Sequence, residues 1–141
     1  MKCIAKYSGK LGVEGVGSGH GVFMDMPEPF GDNKGMTPGD MLLNSIAGCK
    51  IISFVSLGKK FNITFEDIEV EISGEVEKTG LVRDTHFPKK ELVSIHTIYR
   101  ITTPHSQEDI EDFLLKVDDL CIVGNALSDN IKKTSEIIIK A

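Results

Sequence analysis

Three side chains in this 141-residue sequence carry nucleophilic sulfur: Cys3, Cys49 and Cys121. A thiolate attacks peroxides and disulfides and binds soft metals, whereas a protonated thiol in a core behaves as a small apolar filler. An odd, small number of cysteines makes no disulfide framework and suits a reducing compartment. His20, His86, His96 and His105 stand at ligand spacing from no cysteine and from no other histidine, so no metal site is expected. No local signature supports a Cys–His protease pair. The glycine-rich run Gly15-Val16-Gly17-Ser18-Gly19-His20 lacks the last glycine of a dinucleotide fingerprint and no helical pattern follows it, so it reads as turns and no cofactor is expected. Spacing alone leaves two readings open for Cys49 and Cys121, core filling or redox chemistry.

The elements that must carry these thiols follow from caps and periodicity. Thr37 stands at the N-cap of a helix, Pro38 at N1 where its missing N–H costs nothing, and Asp40 at N3 of a capping box. From Met41 to Leu57 apolar residues surround this helix, which is therefore expected to be buried on most sides, with Cys49 in its middle. Gly58 is the expected terminator, with Lys59 and Lys60 at the negative end of the dipole. Upstream, glycines separate short apolar fragments, Cys3 to Tyr7 and Gly21 to Asp25, as in an antiparallel meander.

Downstream, Ile68, Val70, Ile72 and Val76 alternate with Glu69, Glu71, Ser73 and Glu75 in one strand. A second runs from Val93 to Thr102, with Val93, Ile95, Thr97, Tyr99 and Ile101 on one side. The polar stretch 78–91 between them predicts a hairpin loop. Ser106 caps another helix, with Asp109 at N3 and one stripe of Ile110, Phe113, Leu114 and Val117. The pattern breaks over 118–121, a short helix restarts near Cys121, and Ile137 to Ile139 form a final buried strand. The order is ββ(β)-α-ββ-α-α-β, a single α+β domain over residues 1–141.

Composition narrows the function. Sixteen basic against 21 acidic residues leave a formal charge of -5, which lacks the cationic face that phosphate neutralisation needs. Trp is absent and aromatics make up 6%, too few for a base-stacking platform, so no nucleic-acid partner is expected. Charge at Lys2 and Lys6 interrupts any leader-like apolar run. The stretch from Met41 to Leu57 is shorter than the roughly 20 residues a bilayer requires and contains Asn44, Ser45, Lys50, Ser53 and Ser56. No membrane partner and a cytoplasmic location are expected.

The run Thr37-Pro38-Gly39-Asp40-Met41-Leu42-Leu43-Asn44-Ser45-Ile46-Ala47-Gly48-Cys49 resembles the Pro-x-Glu-Leu-Leu-Leu-x-Ala-x-x-Gly-Cys helix of the OsmC/Ohr family. Leu120-Cys121-Ile122-Val123 resembles that family's Cys-Pro-Val motif, and the order of elements matches over roughly residues 20 to 141. The resemblance implies an OsmC-like fold in an intertwined homodimer that reduces organic hydroperoxides in oxidative-stress defence. It implies Cys49 as the peroxidatic thiol and Cys121 as the resolving thiol, with a small hydrophobic hydroperoxide as substrate and a thiol reductant as partner. Their disulfide needs Cα atoms within about 7 Å. The alternative is an OsmC-like dimer without peroxidase turnover whose apolar cleft binds a small hydrophobic ligand.

Two departures bear on mechanism. Family peroxidases place an arginine in the N-terminal strand region, but the only arginines here are Arg83 and Arg100, and a lysine such as Lys6, Lys10 or Lys34 does not reproduce the guanidinium fork. Gly39 stands where those peroxidases carry a glutamate ten residues before the first cysteine; Asp40, one position later, reads as the cap. Ile122 replaces the motif's proline. Burial on an apolar helix is expected to raise the Cys49 pKa, with a helix terminus available to Cys121 and none to Cys49. Asp118 and Asp119 would raise Cys121.

Overall fold

The computed structural model describes residues 1–141, which form two compact units, Met1–Leu42 and Leu43–Ala141. In the first, three short strands, β1 (Cys3–Tyr7), β2 (Val13–Gly17) and β3 (His20–Met24), pair antiparallel in the order β1-β2-β3. Of the glycine run expected to be turns, only Ser18 and Gly19 are; Gly15 to Gly17 belong to β2 and His20 opens β3. Ser18 and Gly19 both take positive φ, 52° and 80°, as a two-residue hairpin with right-twisted strands requires. After β3 the chain is gathered around the buried Asp25. Its carboxylate accepts hydrogen bonds from the N–H groups of Met26, Lys34 and Asp32, and a Cβ at Gly31 would overlap the Met26 carbonyl oxygen.

Helix α1 (Pro38–Phe61) starts as its sequence dictates: the Asp40 N–H donates to Thr37 Oγ1 at 3.1 Å, and the Asp40 carboxylate accepts from the Thr37 N–H. Its end differs from expectation. Gly58 is a buried helical residue, and the helix continues to Phe61, where Asn62 turns the chain at φ 56° and the Ile63 N–H donates back to the Gly58 carbonyl. A Cβ at Gly58 would stand 3.1 Å from the Ile63 carbonyl oxygen, a tight approach that glycine relieves. By length and composition α1 could cross a membrane, and only 28% of its most apolar stretch is buried within the chain. Its buried residues are Ile46, Ala47, Ser53, Phe54 and Gly58. The expectation of cover on most sides fails within one chain, since Ile52 is 69% exposed and Leu42 is exposed too.

The second unit carries a sheet of order β4-β5-β6, with β4 (Asp67–Leu81) antiparallel to β5 (Pro88–Thr102) and β6 (Lys132–Lys140) parallel to β5. The polar stretch 78–91 is mostly strand rather than loop. Pairing runs on to Leu81 opposite Pro88, leaving a turn closed by the Val82 N–H on the Phe87 carbonyl. A two-stranded ribbon makes its ladder through the backbone, so solvent-facing charge does not end it. β6 is an edge strand with Ile137 and Ile139 half-buried and Ile138 exposed, not a fully buried one.

α2 (Gln107–Leu120) begins at Ser106, whose hydroxyl accepts from the Asp109 N–H, and runs through Asp118 and Asp119 before ending at Cys121. Its stripe of Ile110, Phe113, Leu114 and Val117 packs with Phe54 of α1 and with Tyr99 and Ile101 of β5. Phe54 sits at the centre, edge-on to Phe65 at 5.3 Å and to Phe113 at 5.0 Å between centroids. Truncation there leaves a cavity in the layer that fixes α1 against α2. Phe54→Ala is expected to cost about 3–5 kcal/mol, read from urea denaturation midpoints with an unchanged m-value.

Candidate functional site

Cys49 lies in the fourth turn of α1, half-buried, one turn before the buried Ser53 and five residues before Phe54. Residues four apart share a helix face, so Ser53 places its hydroxyl beside the Cys49 sulfur. Cys121 is fully buried at the junction of two helices. It closes α2, its N–H donating to the Val117 and Asp118 carbonyls, and it is the N-cap of the short α3 (Ile122–Asn125), its Sγ accepting from the Gly124 N–H at 3.3 Å. A Cβ at Gly124 would stand 3.1 Å from that sulfur, so the residue type preserves the close approach.

The packing of α1 against the end of α2 brings the two thiols into contact, with Cys121 hydrogen-bonded to Cys49. Cys3 is exposed on β1, opposite Gly17. No three His, Cys, Asp or Glu side chains converge to hold a metal ion.

The two sulfurs differ in proton affinity. Burial pushes the Cys49 thiol up, but the Val123 N–H, the Cys121 thiol, the Ser53 hydroxyl and the Ile122 N–H together favour its thiolate and leave it below the ordinary thiol value. Burial raises Cys121, the Gly124 N–H partly opposes that rise, and the neighbouring Cys49 adds to it, with Lys50 pulling the other way. The two shifts run in opposite directions, so Cys49 is the more acidic thiol of the pair.

This corrects the expectation that a mid-helix Cys49 has no helix terminus to help it. The first amides of α3 come from another element and address Cys49 across the α1–α2 contact. Ile122 belongs to this correction, because it keeps at that position an N–H that a proline lacks.

The cation nearest the thiols was missed in the sequence. Arg100 lies on the other side of β5, clasped by Glu69 and Glu71 at 2.7 Å each, and Arg83 falls in the hairpin turn. Lys50 follows Cys49 directly, and its ammonium pairs with Asp118 at 2.6 Å and lies 5.8 Å from the centre of the Tyr99 ring. The Tyr99 hydroxyl donates to the same Asp118 oxygen at 3.1 Å. Burial, with Asp118 and Cys121 nearby, raises Tyr99 well above an ordinary phenol. The readable signal was a single charge, Lys50, in the middle of an otherwise apolar helix. These three residues line an open cavity of about 300 Å³, together with Ile46, Thr97 and Asn125.

Cys49 is expected to alkylate with an apparent pKa below the ordinary thiol value of about 8.5 and Cys121 above it, so at neutral pH iodoacetamide labels Cys49 first. Ile122→Pro removes one N–H donor, and Cys121→Ala one S–H donor, and each is expected to move the Cys49 profile to higher pH. Site-resolved mass spectrometry across pH reads both.

Comparison with known proteins places these features among relatives. Residues 31–136 match the sequence profile of the family described as OsmC-like protein. The uncharacterized protein YmaD of Bacillus subtilis is 25% identical over 116 residues, 80% of this chain and 74% of that one. The OsmC-like protein of Mycoplasma pneumoniae superposes with a TM-score of 0.84 at 19% identity, covering 99% of this chain and 96% of that one. An organic hydroperoxide resistance protein, OsmC, of Legionella pneumophila gives 0.75 at 19% identity over 98% and 97%. The organic hydroperoxide resistance protein OhrB of Bacillus subtilis gives 0.63 at 17% identity over 96% of each chain.

Proposed function

The chain belongs to the OsmC-like protein family, and from that premise we propose that it is a thiol-dependent hydroperoxide reductase with Cys49 as the peroxidatic and Cys121 as the resolving thiol. One observation carries the reading: the two thiols touch, and the hydrogen bonds around them favour thiolate on Cys49 and thiol on Cys121. We read the whole chain as one OsmC-like domain, working with reduced thiols in the cytoplasm.

The Cys49 thiolate attacks the distal peroxide oxygen and the O–O bond breaks. The alkoxide takes a proton and leaves as alcohol, and Cys49 becomes a sulfenic acid. The Cys121 sulfur then attacks the Cys49 sulfur, the S–O bond breaks, and the departing hydroxide takes the Cys121 proton as water. Two electrons have moved from the thiol pair to the peroxide, and a thiol reductant returns them. A substrate such as cumene hydroperoxide supplies the apolar body that a small hydrophobic hydroperoxide implies.

The peroxidase reading also expects a homodimer. Ile52, Leu120 and Ile122 are exposed around the thiol pair, at 69%, 47% and 69%, and a second copy is the cover this surface calls for. A dimer of that kind buries more than about 2,000 Å². Light scattering at micromolar concentration is expected to give twice the chain mass.

Stoichiometric cumene hydroperoxide is expected to consume two thiols per chain and to leave a Cys49–Cys121 disulfide. Cys121→Ser is expected to stop at a sulfenic acid on Cys49 that dimedone traps, and Cys49→Ser is expected to lose no thiols to the peroxide. Retention of all thiols in the parent protein overturns the enzyme in favour of a dimer that binds a small hydrophobic ligand in an apolar cleft.

A further inference from the structure

Cys49 and Cys121 are joined by more than their own contact. The residue after Cys49 is Lys50, whose side chain is 11% exposed and whose ammonium holds Asp118 Oδ1 at 2.6 Å. Asp118 accepts on the same oxygen from the Tyr99 hydroxyl at 3.1 Å, and its backbone carbonyl accepts from the Cys121 N–H at 3.3 Å. The chain of links is closed: Cys49 to Lys50 through the backbone of α1, Lys50 to Asp118 through an ion pair, and Asp118 to Cys121 through the last turn of α2. Tyr99, buried on the central strand, fixes Asp118 to the sheet.

We propose that Lys50 is a positioning residue: through Asp118 and Tyr99 it locks the end of α2 to α1 and so holds Cys121 at bonding distance from Cys49. This rests on the reading of the two cysteines as a redox pair. The physical argument is one of freedom. Cys121 terminates α2, and α3, which follows, is only four residues long. Helix ends fray, and a terminal thiol that wanders by an ångström loses much of its advantage as an intramolecular partner. The ion pair acts at that end, with Lys50 almost covered and Asp118 open to the cavity. A lysine in this place adds little to the core that Phe54 and Val117 already provide. Its effect falls on the geometry between the sulfurs.

The quantity to measure is the thiol–disulfide equilibrium with glutathione. Oxidised glutathione accepts two electrons and becomes two thiols, while the protein pair loses two protons and forms one S–S bond. The effective concentration of the pair reports how well the fold presents Cys121 to Cys49. Lys50→Met is expected to lower it at least tenfold, with Lys50→Arg within threefold of the parent and the exposed Lys59→Met unchanged. Asp118→Asn is expected to follow Lys50→Met. Tyr99→Phe keeps the ring and removes one hydroxyl, so it tests the same link if Lys50→Met fails to fold; its expected loss is two- to fivefold.

Parent-like values in Lys50→Met, or in Tyr99→Phe where Lys50→Met is unfolded, overturn the proposal. So does a loss in Lys50→Arg as large as in Lys50→Met. Glutathione exchange needs no peroxide, so the two readings separate. A protein that forms the disulfide with glutathione but ignores cumene hydroperoxide refutes the peroxidase and leaves Lys50 testable; one that forms no disulfide with glutathione refutes the role of Lys50.

Discussion

Everything distinctive about this site depends on two neighbouring thiols being made unequal in acidity. Two thiols buried together in apolar surroundings would both stay protonated and inert, because desolvation disfavours thiolate at each. Here the hydrogen-bond donors are not shared out evenly. The Val123 and Ile122 amides, Ser53 and Cys121 all favour charge on Cys49, whereas the Gly124 amide that Cys121 receives does not overcome its burial. The fold thus makes one thiol more acidic than the other without a guanidinium. Backbone amides are well suited to the task, since they are held by the helix they begin and require no side-chain ordering.

The scaffold serves this asymmetry by fixing helix ends. The amides that serve Cys49 are free because α3 is just beginning, and the junction that frees them also buries Cys121. For both to meet Cys49, α1 and α2 must cross at a set depth. That depth is set by Phe54 wedged edge-on between Phe65 and Phe113, over the face of β5 that carries Tyr99 and Ile101. Outward-facing β5 positions have other work: Arg100 bridges Glu69 and Glu71 of β4 and neutralises a line of acidic side chains there.

What the sequence made legible were features governed by local rules. Thr37, Pro38 and Asp40 announce α1, Ser106 and Asp109 announce α2, and alternation from Val93 to Ile101 identifies the buried face of β5; each is a short-range pattern with a steric or hydrogen-bond cause. The meeting of Cys49 with Cys121 was not legible in spacing, and only the motif resemblance suggested it. Where local reading failed, a distant partner or an unpartnered backbone decided the outcome. Gly58 looked like a stop, but it lies inside the helix where the Ile63 carbonyl packs close to it. The 78–91 stretch looked like loop because its side chains are polar, yet the ladder there is made by backbone groups that side-chain type does not report.

The acidity of Cys49 was misjudged for the same reason. A residue in the middle of a helix has no terminus of its own, and sequence reading assigns it none. The terminus that matters belongs to α3 and reaches Cys49 only after two helices have packed. The substitution of Ile122 for the motif's proline, read locally, is a departure from the motif. Set in the folded site it supplies a donor, because proline carries no N–H and isoleucine does, and that N–H is one of those favouring the Cys49 thiolate. Where the family resemblance implies a guanidinium, this sulfur has backbone amide donors instead. The guanidinium acts as a full charge through a mobile side chain, the amide as a partial charge through rigid backbone. A thiolate supported by those amides depends on the seating of α3 against α1, and so on the packing that holds the two helices together.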